Sequence, residues 1–246
     1  MSNKLNKAYW EQFYAHNELR VKPKIEIRRW VEQYIPSVSK GDNKTCIEIG
    51  CFPGSYLTIF GDLGYKLYGI DFCKDLDLLP EFLKNRGYST GDFWQKDFLG
   101  FNHPHKFDIV ASFGFIEHFT NWIEILERHI SLLNNNGYLI VEVPNFIGPF
   151  QHWLHANFDK TRFDRHHIPA MDIEKWTDIL DKRGLKIIHK GYFGRFRFWI
   201  TRNEERAFFP KVFLRSLKLS RGPLKILLPK DKKMYSPFGG IIAQKQ

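Results

Sequence analysis

The stretch Thr45-Cys-Ile-Glu-Ile-Gly-Cys-Phe-Pro-Gly54, followed by Tyr68-Gly-Ile-Asp71, constrains this chain more than any other. A short apolar strand runs into a Gly-bounded turn, and an acid closes a second strand about twenty positions on. An open α/β sheet builds a nucleoside pocket in this way, at the carboxyl ends of its first two strands. A dinucleotide turn uses three glycines, as G-x-G-x-x-G, so that backbone can approach a pyrophosphate. Here Gly50-Cys-Phe-Pro-Gly54 carries only two, and Glu48 precedes the first. An acid at that place repels a pyrophosphate and suits a cationic ligand.

Periodicity extends the α/β reading along the chain. Tyr9, Trp10, Phe13 and Tyr14 form an apolar stripe at helical spacing within residues 1–40, and a second helix is expected over Lys24–Tyr34. Strands are expected at Thr45–Ile49, Lys66–Ile70, Asp92–Lys96, Phe107–Ser112, Tyr138–Val143, Leu185–Lys190 and Gly239–Gln244. Helices are expected at Ser55–Leu63, Leu76–Asn85, Trp122–Leu133 and Asp172–Arg183, with Gly64, Gly87 and Gly184 behind three of them. The alternation predicts a doubly wound, Rossmann-like parallel sheet with helices on both faces. Residues 146–171 read as a loop rich in aromatics and His, and residues 193–236 as a long connection before the last strand.

Glu48-x-Gly50-x-x-x-Gly54 with Asp71 resembles the class I S-adenosylmethionine-dependent methyltransferases. Gln95-Lys-Asp-Phe98, Phe107-Asp-Ile-Val-Ala-Ser112, Glu117-His118, Asn136-Gly-Tyr-Leu-Ile-Val-Glu-Val-Pro-Asn145 and Gly184-Leu-Lys-Ile-Ile188 follow in the family's order. The Glu-His pair and the Pro-Asn ending are similar to the small-molecule branch that includes the ubiquinone-biosynthesis type (type 11). The resemblance covers roughly residues 44–190, most of one domain's length. It implies a seven-stranded, mostly parallel sheet with its last strand antiparallel, and S-adenosylmethionine as the cofactor. The whole chain, 1–246, then reads as a single methyltransferase domain: a helical cover over 1–40, a cofactor-binding core over 44–190 and an insertion over 193–236.

The cofactor is a sulfonium cation with an adenosine and an amino-acid end. Glycines at 50 and 54 let backbone amides of the turn, through Cys51 and Phe52, approach the amino-acid end. Glu48 complements the positive ligand, and Asp71 is placed to accept from the ribose hydroxyls. The family pattern sets Asp97 against the adenine amino group with Phe98 beside it; Phe72 is a further candidate for the adenine slot. Ser112, Phe113 and Gly114 are expected to floor the pocket, whereas Asp108 reads as structural. The leading helices of the family cover the cofactor, which makes Tyr9 and Trp10 candidates for contact.

Methyl transfer to oxygen or nitrogen calls for a base, and His is matched to that work. His118, His152, His155 and His167 are the candidates, with His166 in the same run. The alternative for Glu117-His118 is that the pair braces the next helix. A metal site from His166, His167 and Asp164 is disfavoured, because adjacent His residues seldom converge on one ion; no metal is expected.

Of the net charge of +10, all resides between Lys190 and Lys233, where thirteen Lys and Arg face Glu204, Glu205 and Asp231. Phe209, Val212, Phe213 and Leu217 share one helical face there, and Lys211, Arg215 and Lys218 another. Over 207–230 such a segment either packs across the substrate cleft or lies on an anionic membrane surface, where it could meet a lipid-linked substrate. Nucleic acid ranks last, since a basic stripe without an RNA-binding module is electrostatic evidence only. Three cysteines (Cys46, Cys51, Cys73) form no C-x-x-C, and no apolar run approaches a membrane span; a cytoplasmic location is expected. The reading is O-methylation of a small-molecule acceptor, a sugar or lipid-linked glycan precursor. The rivals are an RNA methyltransferase, a non-catalytic scaffold of the same fold and an NAD-type oxidoreductase.

Overall fold

A computed structural model of the protein describes residues 21–197 and 226–246, together with residues 9, 19, 200 and 222–224. Strands β1 (Thr45–Ile49), β2 (Lys66–Asp71), β3 (Thr90–Gln95), β4 (Phe107–Phe113), β5 (Leu133–Pro144), β6 (Leu185–Phe193) and β7 (Phe238–Lys245) form one sheet in the order β3-β2-β1-β4-β5-β7-β6. The first five run parallel, and β7 is antiparallel to both its neighbours. That inserted strand is the feature the family resemblance implied and a plain βα alternation does not. The order reverses between β1 and β4, which opens a crevice above their carboxyl ends.

Alternating strand side chains feed two cores, one on each face. Ile47 and Ile49 of β1 enter a core with α4 (Trp122–Ser131) and α7 (Ile173–Lys182), through Ile125, Leu126, Trp176 and Leu180. Cys46 enters the opposite core, with α1 (Ile25–Tyr34), α2 (Leu57–Asp62) and α3 (Leu78–Lys84), through Ile27, Trp30, Phe60 and Leu79. Burial on both faces explains why β1 and β4 read as nearly continuous apolar runs. Trp30 ties α1 to the sheet edge. Its indole stacks on Phe193 at 4.5 Å and its Nε1–H donates to His189 Nδ1 at 2.9 Å. This anchor sets the start of α1, with Lys24 and Pro23, beside the crevice.

Two expectations are corrected. Residues 146–171 are not an open loop: they form α5 (Pro149–Phe158), α6 (Lys160–Asp164) and a single 3₁₀ turn at Ile168–Met171. Pro149 occupies the first turn of α5, where its missing N–H costs nothing. The helix expected over Trp122–Leu133 ends at Ser131, and the strand expected from Tyr138 already begins at Leu133 and takes Asn136 through a left-handed conformation (φ 62°). The stripe residues Trp10, Phe13 and Tyr14, and most of the basic stretch 198–225, lie outside the described residues; Tyr9 is helical. Where the far end of that stretch is described, Leu224 and Leu228 pack against Leu154, Phe196 and Tyr235 beside α5, while Ile226 and Leu227 are exposed.

Candidate active site

A cavity of about 440 Å³ lies at the carboxyl ends of β1, β2 and β4, within the size range of small-molecule sites. The turn after β1 supplies one wall. Gly50 there has φ 72°, and a Cβ on it would come within 2.7 Å of the Phe115 ring. Backbone can therefore face the cavity only because this position is glycine. Cys51 and Phe52 line the same wall.

Glu48 is 2% exposed. One carboxylate oxygen is held by the Leu57 N–H, while Oε2 has no hydrogen-bond partner among the described residues. Burial, reinforced by Asp71, pushes its carboxyl well above the usual range. Asp71 ends β2 and accepts the Phe52 N–H at 3.1 Å and the Cys73 N–H at 2.9 Å. Those bonds fix the carboxylate orientation, yet desolvation still raises it to about 6. Phe72 and Phe98 line the slot beyond Asp71, and Asp97 caps the 3₁₀ turn at Phe98–Gly100 by accepting the Leu99 N–H at 3.0 Å.

Phe113 and Gly114 end β4 at the cavity floor, Phe113 stacked on Tyr56 at 4.5 Å. Ser112 does not reach the floor. Its side chain points the other way through the sheet, its hydroxyl 3.0 Å from Nε2 of the buried His129. Gly54 also stays off the cavity; with φ 95° it closes the turn, and a Cβ there would strike Leu79. Asp108 is structural, pairing with Lys44 at 2.9 Å and accepting the Thr45 N–H at 2.9 Å.

The histidines divide sharply. His118 lines the cavity, its Nδ1 3.4 Å from the Arg165 carbonyl. Burial and the neighbouring His166 lower it to about 3. His166, from the turn after α6, also lines the cavity; its Nδ1 is 2.6 Å from the Arg162 carbonyl, and burial lowers it to about 4. The other three candidates do not face the cavity. His152 turns Nδ1 to the Phe146 carbonyl at 3.0 Å, and His155 is fully buried against Asp159 at 3.2 Å, because α5 directs both toward its own packing. His167 caps the 3₁₀ turn at Ile168–Met171 and gives its backbone N–H to the Glu117 carbonyl at 2.7 Å.

Several lining groups carried no signal in the spacing. Lys24 reaches in from α1, its ammonium pKa lowered by burial. Glu142 of β5 is raised by burial to about 7 despite the nearby Lys24 charge. Glu117, read as a brace, lines the cavity, and its Oε2 has no hydrogen-bond partner among the described residues. Arg162 and Arg165 come from α6 and its end, and Arg165 donates to the Tyr9 hydroxyl at 2.8 Å. The cavity thus has Glu48 and Asp71 at the ends of β1 and β2, and, from the 3₁₀ turn at Ile116–His118 and from α6, a cluster of His and Arg that also holds Glu117.

The family model described as "Methyltransferase domain" matches residues 21–190. No curated protein matches the chain. Among solved structures, a candidate methyltransferase from Bacillus halodurans C-125 is similar at TM-score 0.59 and 19% identity, over 88% of this chain and 96% of that one. An S-adenosylmethionine-dependent methyltransferase from Archaeoglobus fulgidus is similar at TM-score 0.55 and 21% identity, over 89% and 93%. Magnesium protoporphyrin IX methyltransferase from Synechocystis PCC 6803, with bound S-adenosylhomocysteine, reaches TM-score 0.56 at 13% identity, over 97% and 93%. The protein belongs to the methyltransferase-domain family and is a class I S-adenosylmethionine-dependent enzyme.

Proposed function

We propose that the protein methylates a hydroxyl of a small-molecule acceptor, a sugar or a lipid-linked glycan precursor. The supporting observation is the two-sided cavity, acidic where a cationic cofactor belongs and rich in His and Arg where an acceptor would enter. The residues fit S-adenosylmethionine. Glu48 offers an ammonium a buried oxygen that has no partner among the described residues, the Gly50 backbone leaves room for the amino-acid end, and Asp71 is held ready for two ribose hydroxyls. Phe72, Phe98 and Asp97 border the adenine slot, with Phe113 and Gly114 as its floor neighbours. Bound there, the cofactor supplies a methyl group on a sulfonium, already a good leaving group.

What the chain must add is alignment and removal of a proton. Arg162 and Arg165 suit an acceptor that carries a phosphate or carboxylate, with planar donor forks matched to such groups. Two neutral imidazoles, His118 and His166, stand at the same end. A hydroxyl becomes strongly acidic as its oxygen gains the methyl group, so even a weakly basic environment can take the proton late in the step. Glu117 and Glu142 offset the arginine charges.

Incubation with methyl-labelled S-adenosylmethionine and a panel of nucleotide sugars and polyprenyl-linked glycans tests this reading. Label in an ether linkage of a sugar product is expected. Label found only in RNA or protein from a cell extract would overturn it and favour the RNA alternative.

A further inference from the structure

Glu117, His118 and His166 each bring one ligand-type atom to within 4.8 Å of the others, inside the cavity. We propose that these three side chains bind a first-row divalent transition ion of the zinc class, and that this ion engages the acceptor's oxygens. The inference rests on the methyltransferase reading and specifies how its acceptor side works.

The donor set decides the kind of ion. Two imidazoles and one carboxylate suit zinc, cobalt or iron(II), whereas magnesium and calcium take oxygen ligands almost alone. Three protein ligands leave further coordination positions open, the pattern of catalytic and not structural metal sites. The distances are close to workable. Tetrahedral ligands about 2.1 Å from one ion stand about 3.4 Å apart, so the widest pair has to close by no more than about 1.4 Å.

Two details go beyond proximity. Each imidazole has Nδ1 against a backbone carbonyl of the α6 region, His166 on Arg162 and His118 on Arg165. Donation of Nδ1–H to a carbonyl fixes the tautomer with its lone pair on Nε2, the usual outer-shell support of a metal-binding His. Glu117 is 1% exposed, and its Oε2 has no hydrogen-bond partner among the described residues, although it lies in a cavity wall. An orphaned buried carboxylate oxygen is costly unless something positive meets it.

The surrounding charge permits an ion. Cations line the cavity too: Arg165 lies 4.7 Å over the Tyr9 ring, Arg162 lies 3.9 Å from Asp159, and the Lys24 ammonium acts on both Glu117 and Glu142. Glu142, buried in the same cavity, adds a second carboxyl. With open positions facing the cavity, the ion would chelate two adjacent oxygens, as in a vicinal diol. Bound in this way a hydroxyl gives its proton to solvent more readily, and the resulting oxygen attacks the methyl carbon while the sulfur keeps the bonding pair.

Chelator-treated full-length protein is titrated with Zn²⁺ by calorimetry and with Co²⁺ by visible absorption. One ion per chain is expected, with a Co²⁺ spectrum of nitrogen and oxygen ligation. Glu117→Gln and His166→Gln are expected to weaken both by at least about 100-fold while S-adenosylmethionine still binds. The proposal is overturned if wild-type protein binds S-adenosylmethionine but neither ion, or if a thiolate band in the Co²⁺ spectrum places the ion on cysteine. Affinities unchanged in both variants would also overturn it. Failure of S-adenosylmethionine itself to bind would instead sink the methyltransferase reading.

Discussion

Asp71 shows how burial and function compete at a single residue. Its carboxyl rises from an ordinary 3.8 to about 6, first through desolvation, against the opposing pull of backbone N–H groups. Because the folded value is the higher, this group's contribution to the stability of the unliganded protein is present below about 3.8 and lost as pH rises through about 6. The ionised form is the better acceptor for ribose hydroxyls, so stabilisation by the cofactor should change in the opposite sense. Thermal melts with and without S-adenosylmethionine are expected to show a larger ligand-induced rise at pH 7.5 than at pH 5. An equal rise at both would remove Asp71 from the ribose site. Asp71 and Glu48 were legible from sequence because Glu48 lies just before the Gly50–Gly54 turn and Asp71 closes the next strand about twenty positions on. Glu142, Lys24 and Arg162 were not, since each reaches the cavity from an element whose position depends on tertiary packing. The general-base candidates had the same weakness: six His lie from 118 to 167, and only the path of α5 and α6 separates His118 and His166 from the other candidates.

At the level of elements, the strands were readable because apolar runs bounded by Gly and polar turns have few other interpretations. β7 was placed in order only through the family resemblance, as its antiparallel insertion leaves no local mark. The segment 146–171 reads as a loop because its His and aromatic residues blur the polar face that marks a surface helix, whereas packing makes it α5 and α6. Gly64 illustrates how tightly these elements are joined. It links α2 to β2 with φ 95°, and a Cβ there would lie 2.1 Å from the Val38 backbone oxygen. Gly64→Ala combines left-handed strain with a clash against backbone that cannot swing away. A loss of about 2–4 kcal/mol is expected in urea unfolding, with the slope unchanged. A loss below about 0.5 kcal/mol would show that the junction relaxes.

Across the whole molecule, the excess positive charge is confined to one segment, and the sheet with its cavity is close to neutral. The described end of that segment is anchored by Leu224 and Leu228 and presents Ile226 and Leu227 outward. Among the described residues no helix is long and apolar enough to cross a membrane. A lipid-linked substrate, as proposed, requires that the basic residues of this segment meet an anionic surface. The triple change Lys211→Glu, Arg215→Glu and Lys218→Glu is expected to abolish cosedimentation with anionic vesicles and leave S-adenosylmethionine affinity within twofold, roughly. Retained vesicle binding would return the segment to the role of a cleft cover.

Which nucleoside the β1–β2 crevice accepts decides the function of the whole molecule. Calorimetric titration of the purified protein with S-adenosylmethionine and, separately, with NAD addresses this directly. Micromolar binding of the first alone is expected, weakened at least about 100-fold in Asp71→Ala through loss of two charge-assisted hydrogen bonds. Binding of NAD, or of neither ligand, would contradict the assignment of this cavity to the methyl donor.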